Sequence, residues 1–153
     1  MKYFKALLFS IALLWVSNPL FAQTAAPLDS FQGAKATKKH YKALYVLNSG
    51  EEKKITGIIR NINNALNDPR LKGKLEIELI VFGEGVAAYY KTGNYQEPLK
   101  DLSQKGVILA QCENTLRERK IDKKDLFDFI SYVPSGNGEI IIRSAQGWVI
   151  VHP

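Results

Sequence analysis

The stretch ILAQCENTL, Ile108 to Leu116, passes from a short apolar run to residues that suit the first turn of a helix, and the only cysteine of the chain, Cys112, stands at the junction. An apolar run of this length without polar alternation suits a strand buried on both faces, and such strands belong to parallel sheets covered by helices on both sides. The same pattern repeats outward from it. YKALYVLN, Tyr41 to Asn48, is a second such run closed by Asn-Ser-Gly, and LEIELIVFGEG, Leu75 to Gly85, is a third that ends in glycines. Between these two, Ile55, Ile58, Ile59, Ile62 and Leu66 recur at three- and four-residue steps, which places one apolar stripe on a helix that stops by Asp68-Pro69. GVAAYYK and EPLKDLSQK each predict a short helix, the second stopped by Gly106. After the central strand VILAQC come a short helix over TLRERK and another over DKKDLFDFI with Asp122 as its N-cap. A brief strand in SYVPSG, a helix over EIIIRSAQ ended by Gly147, and a last strand in WVIVHP complete the chain. Strands alternating with helices in this order predict an α/β fold: a three-layer α/β/α sandwich with a mostly parallel five-stranded sheet.

In such sheets ligands and reactive groups gather at the carboxyl ends of the strands, where loops enter helix N-termini. Three loops qualify: Asn48-Ser49-Gly50, Gly83-Glu84-Gly85 and Cys112-Glu113-Asn114. Cys112, with Asn114, Thr115 and Arg117 beside it, is the candidate reactive site; Asn48, Ser49, Gly83, Glu84 and Gly85 are candidate loop contacts. Unpaired backbone N–H groups and the positive end of a helix dipole favour a thiolate over a thiol, lowering its pKa below the free value of about 8.5. Arg117 and Arg119 add to this and Glu113 opposes it. The alternative is that Cys112 is the packed, inert last residue of a strand.

Other chemistry is thinly represented. In VFGEGV the third glycine of a dinucleotide fingerprint is replaced by Ala88, so Gly83 and Gly85 are expected to serve a tight turn. LNSGEEKK lacks the Gly-Lys-Ser/Thr ending of a phosphate-binding loop and reads as a turn plus N-cap. His40 and His152 are the only histidines and lie far apart in sequence, so neither a metal site nor a cofactor is expected. His152 is the one base on an ordered element that a cysteine hydrolase would have available. Glu76 and Glu78 alternate and face the same side, where solvation is expected for both, and Trp148 reads as core or interface. The chain of 153 residues carries a net charge of +6, but its lysines and arginines are mixed with acids, as in Glu51-Glu52-Lys53-Lys54 and Asp122-Lys123-Lys124-Asp125. That is the mark of a solvated surface, and no nucleic-acid partner is expected.

The first residues, MKYFKALLFSIALLWVSNPLFAQ, have a basic start, an apolar stretch and a small residue at Ala22. This is the layout of a secretory signal peptide over residues 1–22, cleaved after Ala22 or alternatively after Ala26, and the apolar run is too short for a stable membrane anchor. Residues 23–40 read as a flexible arm, and residues 41–153 as one domain. The expected location is outside the cytoplasm, periplasmic or extracellular.

The domain resembles the DsrE/DsrF-like family, also described by the YchN-like fold. The marks are the opening strand running into LNS, the VFGEGV turn, GVILAQCENTL with its cysteine at a strand end, the IDKKDL start, and the closing VPSGNGEIIIRSAQGWVIVHP. The resemblance implies a small α/β/α domain that assembles as a trimer or hexamer, with Cys112 matching the cysteine that carries sulfur as a persulfide in sulfur-relay members. Tyr89, Tyr90, Phe127 and Trp148 are expected to supply apolar surface between subunits. Three functions follow. One is a sulfur carrier or sulfurtransferase-like protein acting through Cys112 with a donor or acceptor protein. Another is a non-enzymatic oligomeric scaffold with a structural cysteine. The third is a thiol redox protein, for which a second resolving cysteine is missing.

Overall fold

Runs that are apolar on both sides have no face to offer water, and in the computed structural model, which describes residues 30–153, those runs lie inside a sheet. Residues 35–153 form one compact unit and are described by themselves. Residues 31–40 form neither helix nor strand, while the expected leader over residues 1–22 and the first part of the arm, 23–29, lie outside the described residues. The elements in chain order are β1 (Tyr41–Leu47), α1 (Glu52–Asn67), β2 (Leu75–Val81), a 3₁₀ segment (Gly83–Tyr89) and α2 (Gln96–Gln104). Then come β3 (Ile108–Cys112), α3 (Glu113–Arg119), a 3₁₀ turn (Lys123–Asp125), β4 (Ser131–Val133), α4 (Gly136–Ala145) and β5 (Val149–Val151). The strands lie in the order β4-β3-β2-β1-β5 and every pairing is parallel, so all strands end at the same edge of the sheet.

The period-two alternation of side chains divides the core between two faces. Ala43, Tyr45 and Leu47 of β1 and Ile77, Leu79 and Val81 of β2 meet the stripe Ile55, Ile58, Ile59 and Ile62 of α1, joined by Leu99 and Leu102 of α2. Each of those isoleucines stabilises the fold by about 1.5–3 kcal/mol relative to exposure. The opposite face is thinner. Leu44, Val46, Ile80 and Ala110 are covered there by Trp148 and by Ile140 of α4, and this single helix leaves Ile141 and Ile142 exposed beside Val149 and Ile150 of β5.

Four expectations change. GVAAYYK winds as 3₁₀ rather than α-helix, held at its start by the Phe82 N–H donating to the Leu47 carbonyl (3.1 Å) and at its end by a bridge between Tyr90 and Leu126. DKKDLFDFI is not a helix. Asp122 accepts the Lys124 N–H at 3.1 Å as an N-cap, but only Lys123–Asp125 turns, because Leu126 leaves to pair with Tyr90 and the Phe127 N–H donates to the Tyr89 carbonyl (3.0 Å). Tyr89, Phe127 and Trp148 are buried within this unit and Tyr90 is half-buried, so the exposed apolar surface lies elsewhere, on α4 and β5. Lastly, Glu76 is solvated beside Lys42, whereas Glu78 is only 1 % exposed. Arg143 of α4 folds over it, with 2.6 Å between Nη2 and the Glu78 Oε2, and stacks at 4.3 Å on the Trp148 ring.

Candidate functional site

Cys112 is both the last residue of β3 and the residue that caps α3, and it pairs in register with Val133 of β4. Its side chain points to the thinner face, in phase with Ala110, where the N-terminus of α4 crosses the sheet edge. Gly136, the first residue of α4, can approach because it has no side chain: a Cβ there would stand 2.8 Å from the Phe82 ring. The cap that orients this turn is Ser135, whose hydroxyl accepts the Gly138 N–H at 3.2 Å. Cys112 is thereby 4 % exposed and enclosed by two helix starts.

Two effects act on the thiol. Burial pushes its pKa up, because desolvation disfavours the anion. Against this, the nearby N–H groups of Thr115, Gly136 and Asn114 and the Thr115 hydroxyl favour the anion, and together they win: the pKa lies below the ordinary thiol value, although the side chain forms no cap hydrogen bond to α3. The hydroxyl is directed by a second contact. Thr115 Oγ1 accepts the Gly83 N–H at 2.9 Å, which leaves its own proton available, and Gly83 reaches that position through a left-handed backbone, φ 56°. The glycine turn after β2 therefore belongs to the cysteine's surroundings. Its other glycine is structural, since a Cβ on Gly85 would lie 2.4 Å from the Leu47 carbonyl oxygen.

The remaining candidate residues divide. Asn114 and Thr115 contribute through the groups just named, but Arg117 turns to the Asn114 side chain and Arg119 to Glu84 (4.0 Å). Glu113 is drawn to Lys123 at 2.5 Å, and that hydrogen bond keeps its pKa below the usual carboxylate value. Asn48 and Ser49 stand at the end of β1, with β2 between them and β3. Ser49 does not cap α1; its hydroxyl accepts the Glu51 N–H at 3.2 Å, and α1 begins without a side-chain cap. His152 follows β5, three strand spacings from β3, roughly 14 Å at about 4.8 Å per strand. It approaches Asn48 Oδ1 at 3.4 Å and is not the base of Cys112. Gly136 was not a candidate from the sequence, although Ser135-Gly136-Asn137-Gly138 ahead of three isoleucines is a legible helix start. Among the described residues no group of histidine, cysteine, aspartate and glutamate side chains could hold a metal ion.

The DsrE/DsrF-like family model matches residues 32–153. Among solved structures the chain is similar to MTH1491, a protein of unknown function from Methanobacterium thermoautotrophicum, at 27% identity and a TM-score of 0.70 over 74% of this chain and 99% of that one. It is also similar in fold to the ychN protein from E. coli, at 15% identity and a TM-score of 0.59 over 74% and 99% of the two chains. BT1422 of Bacteroides thetaiotaomicron, a conserved protein of unknown function, shares the fold at 14% identity and a TM-score of 0.58 over 73% and 94%. A comparison with curated proteins finds no match.

Proposed function

Because the chain belongs to the DsrE/DsrF-like family, we propose that Cys112 accepts and holds sulfane sulfur, making the protein a persulfide carrier or sulfurtransferase-like protein. The observation that carries this reading is the position of the thiol: a residue 4 % exposed, held at the end of β3 between the starts of α3 and α4, whose N–H groups favour its anion and lower its pKa. Surroundings that favour the anion of a buried thiol suit a nucleophile rather than an inert core cysteine. The step is an exchange between sulfurs. The Cys112 thiolate attacks the outer sulfur of a persulfide or polysulfide donor, a new S–S bond forms as the donor's S–S bond breaks, and the donor leaves as a thiolate. No oxidant enters.

Incubation of the protein with polysulfide followed by intact-mass measurement tests this. The expected result is a gain of about 32 mass units, one sulfur atom, that is removed by reductant and absent in Cys112→Ser, with thiol reactivity reaching its plateau at a pH below that of an ordinary cysteine near 8.5. The low exposure of Cys112 favours a second reading, a scaffold with a structural cysteine. That reading stands instead if the thiol reacts only after denaturation and Cys112→Ser loses more than about 2 kcal/mol of stability, the scale of a core change.

We further propose a homo-oligomer, a trimer or hexamer, joined through the apolar face of α4 and β5, where Ile141 is 68% and Val149 63% exposed. Among the described residues β5 is also an edge strand of the sheet. The donor or acceptor is a separate sulfur-handling protein. Residues 1–22 are proposed to direct the chain out of the cytoplasm; N-terminal sequencing that begins at Gln23 or Pro27 supports this, and retention of Met1 in a membrane fraction contradicts it. Among the described residues no helix is long and apolar enough to cross a membrane.

A further inference from the structure

A donor that exchanges sulfur with Cys112 has to reach a side chain that is almost fully enclosed, so an element above it has to move. That element is α4. It joins β4 to β5, which are the two edge strands among the described residues, and so crosses the thinner face of the sheet with its start over Cys112. Its hold on that face is slight. Of its ten residues Gly136 alone is buried, whereas α1 on the opposite face buries four isoleucines. Elements with few buried apolar contacts are the first parts of a fold to open. Glycines stand at both ends, Gly136 and Gly138 around the start and Gly147 after the end, where φ is 81° and a side chain would meet nothing within 4 Å. Positions at the ends of an element absorb the backbone rotation of a hinge.

Beneath the far end of α4 lies a charge. Arg143 stands roughly 10 Å along the helix from Gly136, at about 1.5 Å per residue, and its guanidinium covers the buried Glu78 carboxylate of β2 while also standing 2.8 Å from the Glu139 Oε1. These pairs are close but poorly aligned. Among the described residues neither oxygen of Glu78, nor Arg143 Nε, nor Nε1 of the Trp148 ring on which the guanidinium stacks makes a hydrogen bond. Taking a carboxylate out of water is costly, and an ion pair offsets that cost only with good geometry and further hydrogen bonds. Lifting α4 returns Glu78 and Arg143 to water. The closed position is therefore held by little apolar contact and opposed by the charge it encloses.

We propose that α4 is a cover that lifts from Cys112 in the folded protein, and that the enclosed Glu78–Arg143 pair under its far end keeps the closed position only marginally favoured. The inference rests on the reading of Cys112 as a thiol that reacts without unfolding, and it assigns the route by which the donor arrives. Two changes at the pair should then act in opposite directions. Removing Arg143 alone leaves a carboxylate enclosed without its partner and favours the lifted position, whereas replacing both members by apolar side chains removes the charge and favours the closed one.

The test is the rate at which iodoacetamide labels Cys112 in the full chain at pH 9, measured in rising urea below the unfolding transition. In the wild type the rate should hardly change with urea, because lifting one short helix exposes little surface. Arg143→Met should speed labelling at least tenfold without urea, and Glu78→Leu combined with Arg143→Met should slow it at least tenfold. Ile58→Val, in the larger core, should leave the rate unchanged although it lowers the melting temperature. All four proteins keep Ile141 and Ile142, so any assembly through the outer side of α4 is common to them. A rate that climbs with urea in step with global unfolding would overturn the cover, as would equal rates in the wild type and the double variant, which decides the matter if Arg143→Met does not fold. Loading the same proteins with polysulfide separates this inference from the sulfur chemistry. Labelling in the expected order with no sulfur gained removes the carrier and leaves the cover, whereas sulfur gained at one rate in all four removes the cover and leaves the carrier.

Discussion

At the scale of single residues, Thr115 is the side chain on which the cysteine's chemistry turns. Its hydroxyl accepts the Gly83 N–H, and beside the sulfur it favours the thiolate. Thr115→Val keeps the shape and removes the hydroxyl. We expect the thiol pKa to rise and reactivity at neutral pH to fall, with Thr115→Ser restoring both, as followed by thiolate absorbance against pH. Stability should drop by about 1–3 kcal/mol, because the Gly83 N–H is left without its acceptor. An unchanged pKa in the valine variant would mean that the backbone donors act alone. Glu78 gives a second residue-scale prediction. Burial raises its pKa above the usual carboxylate value, while Arg143 pulls it down and Glu139 pushes it up. Above the unfolded value of about 4.5 the folded chain therefore holds a proton that the unfolded chain has already released, so stability falls as pH rises from there through the folded value. Denaturation of Glu78→Gln beside the wild type should show the variant gaining relative stability over that rise. A difference that is flat with pH contradicts it.

At the scale of elements, α4 has two tasks that its short sequence serves together. Its N-terminus closes over Cys112 through Gly136, and Arg143, seven residues on, covers Glu78. Gly136→Ala sets a Cβ against the Phe82 ring at 2.8 Å, closer than such contacts allow, so the helix start has to withdraw. The expected outcome is a loss of about 1–3 kcal/mol, typical of overpacking, together with faster labelling of the thiol by a neutral alkylating reagent at pH 9, where ionisation no longer limits the rate. Labelling unchanged while stability falls would show that α4 does not guard the sulfur. The 3₁₀ segment after β2 is the other element tied to the site, since its first residue supplies the N–H that orients Thr115.

At the scale of the whole molecule, the two faces of the sheet are unequally covered, and the deficit is apolar: Ile141, Ile142, Val149 and Ile150 remain in contact with solvent. In the proposed homo-oligomer this patch is the association surface. The proposed oligomer predicts that Ile142→Glu gives monomers in light scattering at micromolar concentration without lowering the melting temperature of the isolated fold, because this side chain is not part of either core. A wild type that scatters as a monomer removes the oligomer proposal outright.

The order of elements and the layering were legible along the chain. Runs such as YKALYVL and ILAQC are apolar on both faces, and the isoleucine stripe of α1 has one phase, so local pattern and tertiary burial agree there. The family resemblance was legible for the same reason, in motifs that sit at strand ends. Where they disagreed, long-range partners decided. DKKDLFDFI has helical spacing, but the pairing of Leu126 with Tyr90, far away in sequence, draws it out of a helix. Glu78 looks like a solvated strand residue until Arg143 arrives from α4, and Tyr89, Phe127 and Trp148 look like interface aromatics until the sheet closes over them. The cysteine divides in the same way. Its place before a helix start follows from neighbours in sequence, whereas its burial, the Gly136 N–H and the Gly83-directed hydroxyl of Thr115 come from segments that meet it only because parallel strands end at one edge of the sheet.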